Sequence, residues 1–69
     1  MKTLKINGVE REFPSGLPQT LADLLNQLNI DAATVVAEID GRIIERSRFA
    51  ETTLCSGQKI ELVRFVPGG

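Results

Sequence analysis

Hydrophobic and polar residues alternate in several short stretches of the chain, as expected for half-buried β-strands. Leu4 and Ile6 alternate with polar residues, while Glu10 and Glu12 lie on one side of the following stretch. Asn7-Gly8 separates the two stretches. Because both central positions of a type I′ turn need a positive φ, this dipeptide is a strong turn signal. The pattern predicts an N-terminal β-hairpin.

A different periodicity follows the hairpin, from Thr20 to Ile30. Apolar residues recur there at the i, i+3, i+4, i+7 spacing of one buried helix face. Thr20 with Asp23 three residues later resembles a capping box, which marks the start of a helix. We therefore predict one amphipathic helix with its leucines in the core. The leucines in question are Leu21, Leu24, Leu25 and Leu28.

The second half of the chain returns to strand patterns. Residues 35–39 alternate, with Val35, Ala37 and Ile39 on one side, and Asp40-Gly41 supplies a second primed turn before a short strand at 42–46. We interpret the next segment as a turn or a single 3₁₀ turn whose Phe49 packs inward together with Leu54. A last strand is predicted from Ile60 to Val66.

The predicted order is two strands, one helix and three strands. A mixed sheet with the one main helix packed across one face is the compact solution for this order. The fold class is therefore α+β, with the β-grasp, or ubiquitin-like, architecture.

Alternation in the last strand predicts an exposed apolar surface. Ile60 and Leu62 face the core, so Val63 and Phe65 point to the sheet face that the helix leaves open. Large apolar side chains on an open face are candidates for a partner surface. We predict that Val63, Phe65 and the adjoining Val66 form a docking site. Arg64 is expected to remain a solvated charge, because surface ion pairs contribute little.

Charge and composition narrow the functional classes. The chain has 69 residues, with 8 Lys and Arg against 9 Asp and Glu. This balance argues against nucleic-acid binding, which needs clustered positive charge. No stretch approaches the roughly 20 apolar residues of a membrane span, and the N-terminal residues lack the apolar segment of a signal peptide. A single cysteine, Cys55, forms no internal disulfide. We expect a cytoplasmic protein with no nucleic-acid or membrane partner.

Catalytic chemistry has few candidate residues in this chain. Histidine is absent, which removes the commonest general base and metal ligand and excludes Ser-His and Cys-His nucleophile pairs. A domain of this size also has only a modest core, since it buries roughly 60% of its unfolded surface. We expect a protein that is not an enzyme, with no catalytic residues and no metal site. Cys55 has only Lys59 as a nearby base in sequence, so we interpret it as a loop or core residue.

The chain closes on Pro67, Gly68 and Gly69. Proline lacks an N–H group and ends strand pairing. Glycines have no Cβ, so they pass through narrow channels and adopt backbone angles that other residues avoid. We interpret residues 67–69 as a flexible tail and residues 1–66 as the folded domain. The carboxylate of Gly69 is then the reactive group, presented to other proteins.

Several segments together resemble the ThiS family of sulfur carriers in thiamin biosynthesis. They are the "NG" hairpin, "TLADLLNQL", "VVAEIDGRIIERSRFAETTL" and "SGQKIELVRFVPGG". The resemblance extends from Thr3 to Gly69, and its middle segment is more specific than Gly-Gly. The chain departs from the family at Glu45, where proline is frequent, and at Gln58, where aspartate is frequent.

The resemblance implies that Gly69 carries sulfur as a thiocarboxylate. A ubiquitin-activating-like adenylyltransferase (ThiF-like) would use MgATP to adenylate the Gly69 carboxylate, and a donor such as a cysteine desulfurase would supply the sulfur. A ThiG-like thiazole synthase would accept it. The carrier itself would bind no cofactor. The tail residues that enter the partners' active sites would be Gly69, Gly68 and Pro67.

Three other functions share parts of this pattern. The small subunit of molybdopterin synthase has the same fold and thiocarboxylate, but its typical double-proline approach to the glycines is missing here. A ubiquitin-like protein modifier would have the same tail and form isopeptide bonds with lysines. A plain β-grasp binding module would carry Gly-Gly by chance.

Overall fold

The computed structural model describes residues 2–65 of the chain. The elements are β1 (Lys2–Ile6), β2 (Val9–Phe13), α1 (Leu21–Gln27), β3 (Val35–Ile39), β4 (Arg42–Ile44) and β5 (Lys59–Arg64), with 3₁₀ turns at Ala32–Thr34 and Arg46–Arg48. The strands form one mixed sheet with the order β2-β1-β5-β3-β4, in which β1 and β5 run parallel and all other neighbours are antiparallel. The predicted β-grasp architecture is confirmed.

Both hairpins close with the primed turns that the sequence predicts. Asn7 and Gly8 have φ values of 50° and 82°, and Asp40 and Gly41 have φ values of 50° and 85°. Left-handed angles at both central positions match the twist of the flanking strands. These two turns fix the register of the β1–β2 and β3–β4 pairs.

The helix begins and ends with recognisable caps. The Thr20 Oγ1 atom accepts a hydrogen bond of 3.2 Å from the Asp23 backbone N–H, which satisfies one of the free donors of the first turn. At the other end Asn29 adopts a φ of 57°, and the Ile30 N–H donates to the Leu25 carbonyl over 2.9 Å. This is the hydrogen bond of a Schellman motif. Among residues 2–65, no helix is long and apolar enough to cross a membrane.

The core lies between α1 and one face of the sheet, which we call the inner face. Leucines of α1 pack there with alternate residues of the strands, and each fully buried leucine stabilises the fold by about 1.5–3 kcal/mol relative to exposure. Phe49 and Leu54 also pack inward, as predicted. The buried residues are Leu4, Ile6, Leu21, Leu24, Leu25, Val35, Ala37, Ile39, Phe49, Leu54, Ile60 and Leu62.

The last strand is shorter than its sequence pattern suggests. It ends at Arg64, which pairs with Val35, the first residue of β3. Because the residues before Val35 form a 3₁₀ turn, they offer no further ladder to β5. Phe65 keeps one backbone hydrogen bond, from its N–H to the Thr34 carbonyl at 2.8 Å. Val66 lies outside the described residues, and the domain boundary at residue 66 stays a prediction.

Candidate functional site: the outer sheet face beside the end of β5

β5 is the strand that leads to the C-terminal glycines, and it lies inside the sheet between β1 and β3. Ile60 and Leu62 are buried in the core, as the alternation predicts. The residues that alternate with them point to the opposite face of the sheet, which we call the outer face. β3 pairs with β5 from Ile60 to Arg64, whereas β1 pairs with it only at Lys59 and Ile60. The β3 ladder therefore fixes the direction in which the C-terminal side chains of β5 project.

Apolar residues gather on the outer face near the C-terminal end of β5. Val63 is directly opposite Val36 of β3, so their side chains are cross-strand neighbours. Ile43 of β4 is opposite Glu38, one step along the same face from Val36. We call these exposed residues the apolar patch: Val36, Ile43, Val63 and Phe65, with exposed fractions of 43%, 69%, 59% and 48%.

A groove of about 300 Å³ adjoins the apolar patch and shares Val36, Ile43 and Phe65 with it. The Phe65–Thr34 hydrogen bond holds Phe65 beside the Ala32–Thr34 turn, at one wall of the groove. An apolar side chain of a partner would find both a flat surface and a recess here. The remaining lining residues are Ala32, Ala33, Val35, Ile44, Arg46 and Phe49.

Charged residues cover the rest of the outer face. Lys5 of β1 is the cross-strand neighbour of Glu10 of β2. At the N-terminal end of β5 the outward residues are Lys59 and Glu61. The one ion pair among residues 2–65 involves none of these residues and joins Arg48 to Glu51 at 3.6 Å. We call this region the charged part: Lys5, Glu10, Glu12, Glu38, Lys59 and Glu61.

The predicted docking residues divide into described and undescribed ones. Val63 and Phe65 are exposed, as the alternation requires, but whether they bind a partner stays a prediction. Val66 and the tail residues Pro67, Gly68 and Gly69 lie outside the described residues. Sequence reasoning missed Val36 and Ile43. Their outward positions in β3 and β4 were readable from alternation, whereas their proximity to Val63 depends on strand pairing.

Other candidate chemistry is sparse within residues 2–65. Cys55 is exposed in the loop before β5, where its backbone N–H donates to the Gln58 Oε1 atom at 2.8 Å. It is therefore a loop residue. That part of the chain also holds no group of three or more histidine, cysteine or acidic residues placed to bind a metal ion.

Comparison with protein families gives a match over residues 4–69 to the model described as "ThiS family". This chain belongs to the ThiS family. The match covers all but the first residues of the five-stranded domain and also the C-terminal glycines. The family resemblance predicted from the sequence is confirmed.

Two curated relatives extend the comparison. The ThiS-family chain is 33% identical over 66 residues to "Sulfur carrier protein ThiS" of Bacillus subtilis, covering 96% of this chain and 98% of the relative. It is 36% identical over 66 residues to "Thiazole synthase" of Paramagnetospirillum magneticum. That alignment covers 96% of this chain but only 20% of the thiazole synthase, so the chain spans about a fifth of that relative's length.

Solved structures agree with the family. A crystal structure of the thiamine biosynthesis protein ThiS from Geobacter metallireducens superposes with a TM-score of 0.83 at 29% identity, covering 97% of this chain and 99% of that one. A solution structure of a thiamine biosynthesis protein from the same organism gives a TM-score of 0.78 at 29% identity, covering 97% and 87%.

Proposed function

We propose that this ThiS-family chain is a sulfur carrier of thiamin biosynthesis that holds sulfur as a thiocarboxylate on Gly69. The observation that carries the proposal is the family match, which extends through Gly68 and Gly69. The relative named sulfur carrier protein, aligned over almost its whole length, supports the same function. The apolar patch supplies a surface by which enzymes would recognise the carrier before acting on its tail.

The chemistry requires activation, because a carboxylate is a poor electrophile. In the proposed reaction a Gly69 carboxylate oxygen attacks the α-phosphorus of ATP, and pyrophosphate leaves. The terminal sulfur of a donor persulfide then attacks the Gly69 carbonyl carbon and expels AMP. A thiol of the donor reduces the resulting acyl disulfide, which leaves the thiocarboxylate on Gly69 and a disulfide on the donor.

Each step of this reaction belongs to another protein. An adenylyltransferase of the ubiquitin-activating class would supply the MgATP site, and a cysteine desulfurase or an equivalent donor would supply the persulfide. The carrier acts as a co-substrate and contributes Gly69 with Gly68 and Pro67 as the approach. Absent side chains at the two glycines leave the carbonyl carbon open to attack. We place the chemistry in the cytoplasm, where ATP and reduced thiols are available.

Thiazole synthase is the proposed acceptor of the sulfur. Support comes from the Paramagnetospirillum magneticum relative, since a protein named thiazole synthase contains a segment similar to this chain. A shared polypeptide would bring a carrier tail close to the enzyme that consumes its sulfur. The thiocarboxylate sulfur is anionic and softer than a carboxylate oxygen, which suits it to nucleophilic attack on a thiazole precursor.

Intact-mass spectrometry tests the thiocarboxylate. The chain is produced with the adenylyltransferase and sulfur donor of the same genome, and we expect the mass gain for exchange of one oxygen by sulfur, located at Gly69. Matched variants lack Gly69 or carry one additional bulky residue after it. Both should keep the thermal stability of the parent and lose ATP–pyrophosphate exchange and the mass gain.

Different outcomes identify the alternatives. Sulfur gain on the extended variant without trimming would contradict the role of Gly69. Transfer to a molybdopterin synthase large subunit but not to thiazole synthase would reassign the pathway. A ladder of higher-mass conjugates would indicate a protein modifier, and failure of every adenylyltransferase to activate the parent chain would indicate a plain binding module.

A further inference from the structure

The side chain of Asn7 connects the first hairpin turn to β5. Its Oδ1 atom accepts a hydrogen bond of 2.7 Å from the Leu62 N–H, and its Nδ2 atom donates one of 3.2 Å to the Leu62 carbonyl. The Asn7 backbone N–H also donates to the Ile60 carbonyl at 2.9 Å. β1 ends one residue earlier, at Ile6. The carboxamide therefore acts as one additional peptide group of the β1–β5 ladder.

The second hairpin turn contacts β5 in a simpler way. Asp40 Oδ1 accepts a hydrogen bond of 2.9 Å from the Lys59 N–H, while the Lys59 carbonyl accepts one from the Asp40 backbone N–H at 2.8 Å. An acceptor is sufficient at Asp40, whereas Asn7 needs both a donor and an acceptor for its side chain. This difference explains why an amide stands at one turn and a carboxylate at the other.

Asn7 is followed by a glycine in open surroundings. A Cβ placed on Gly8 would meet no heavy atom within 4 Å. In a flexible Asn-Gly dipeptide the backbone nitrogen of the glycine attacks the Cγ atom of the asparagine, which expels ammonia and forms a five-membered succinimide. Water then opens the ring to aspartate or isoaspartate. No oxidant or cofactor is needed, and one amide NH₂ is exchanged for OH.

We propose that Asn7 is a site of spontaneous deamidation that its contact with Leu62 protects, and that deamidation detaches the C-terminal half of β5 from the first hairpin turn and leaves it held by β3 alone. Both polar atoms on Cγ are engaged by Leu62, so the carboxamide is directed towards β5. Ring closure requires the carboxamide to leave these two hydrogen bonds. Reaction therefore proceeds from a locally opened state, and its rate reports how often that state forms.

The product cannot restore the contact. An aspartate at position 7 loses the Nδ2 donor and places carboxylate oxygens against the Leu62 carbonyl, which leaves two acceptors facing each other. An isoaspartate adds a backbone carbon to the turn and changes the hairpin register. Either product leaves β5 after Ile60, the segment that carries Leu62, Val63 and Arg64, held by its β3 ladder alone.

The first experiment compares deamidation rates at one mildly alkaline pH and temperature. Peptide mapping by mass spectrometry follows Asn7 in the folded chain and in the chain unfolded by urea. We expect Asn7 to react at least about tenfold more slowly in the folded chain. Asn26 and Asn29, followed by Gln27 and Ile30, serve as internal controls with slower intrinsic chemistry. Equal rates in both states, or no reaction of Asn7 in the unfolded chain, would overturn the proposal.

The second experiment tests detachment of β5 from the first hairpin turn through amide hydrogen exchange. In Asn7→Asp we expect exchange of the Leu62 amide to accelerate at least about tenfold, because repulsion by the Leu62 carbonyl turns the new carboxylate away from the Leu62 N–H. Asp40→Asn is the matched control, because it also exchanges an amide and a carboxylate but creates no pair of facing acceptors, and it should change exchange at Lys59 less than about threefold. Unchanged Leu62 exchange in a folded Asn7→Asp variant would refute detachment. If that variant does not fold, partially deamidated parent protein gives the same readout.

Discussion

The outer face changes character along a single strand. At the start of β5 the outward residues are Lys59 and Glu61, whereas Val63 and Phe65 follow at its C-terminal end. The two groups belong to the same face of the sheet, but Lys59 pairs with Lys5 of β1, whereas Val63 has a ladder partner only on β3. Their difference therefore comes both from the side chains and from the end of the β1 ladder at Ile60. One part keeps the face soluble, and the other offers apolar contact area beside the segment that leads to Gly69.

The arrangement of the exposed apolar residues distinguishes a binding surface from scattered exposure. Scattered exposed apolar residues are normal on protein surfaces. Here Val36 and Val63 are direct cross-strand neighbours, with Ile43 and Phe65 adjoining them, so the exposed area is contiguous. A partner that contacts this area would hold the chain close to its tail. The contrast between the apolar patch and the charged part predicts where binding energy is concentrated, and substitutions can test it.

The largest effect on stability should come from Leu62, the inner-face residue that precedes Val63 in β5. Leu62→Ala removes a buried side chain and should reduce the free energy of unfolding by about 2–5 kcal/mol. Val63→Ala, one residue later on the outer face, should change it by about 0.5 kcal/mol or less. Urea denaturation of both variants measures the difference. Similar losses would show that Val63 is part of the core.

The largest effect on binding is expected at Phe65. Phe65→Asp replaces an aromatic side chain of the apolar patch by a charge, and hot-spot losses of about 2 kcal/mol or more correspond to at least about a thirtyfold rise in Kd. Titration with the adenylyltransferase measures it, and circular dichroism should show an intact fold. An unfolded variant would assign Phe65 to the core, while unchanged affinity would remove it from the docking surface.

A smaller loss of affinity is expected at the margin of the patch. Ile43 lies on the edge strand β4, so Ile43→Asp should raise Kd by about threefold to tenfold for the same partner. Combining it with Phe65→Asp tests whether both side chains contact the same surface of the partner. Independent, fully additive losses would indicate separate contacts, and no loss at Ile43 would limit the site to β3 and β5.

The smallest effect is expected in the charged part. Glu10→Gln together with Glu12→Gln should change Kd by less than about twofold at physiological salt, because exposed charges contribute little to affinity. The thermal midpoint of the double variant should also stay close to that of the parent. A loss comparable with that of Phe65→Asp would mean that the partner binds the opposite half of the sheet.

Much of the fold followed from local signals in the sequence. Asn7-Gly8 and Asp40-Gly41 adopt the positive φ angles that their turns require. Thr20 marks the helix start because its side chain accepts a hydrogen bond from the Asp23 N–H, three residues later. Alternation with the buried Ile60 and Leu62 assigned Val63 to the outer face. Each of these features depends on residues that are close in sequence, so a single chain contains the necessary information.

The remaining features depend on which strands become neighbours. Pairing of β3 with β5 places Val36 opposite Val63, and alternation in either strand gives no indication of that register. The contact between Asn7 and Leu62 spans 55 residues and was missed for the same reason. β5 also ends at Arg64 because its partner strand begins at Val35, which the apolar pattern of residues 60–66 could not reveal.

The central place of β5 has a mechanical consequence. If a partner draws the chain end into a channel, as proposed above, it would pull along the axis of a strand hydrogen-bonded to β1 and β3. The antiparallel bonds between β3 and β5 lie across that axis, so they would share the load in shear. Such a pull would therefore be spread over the β3–β5 ladder instead of opening it one bond at a time.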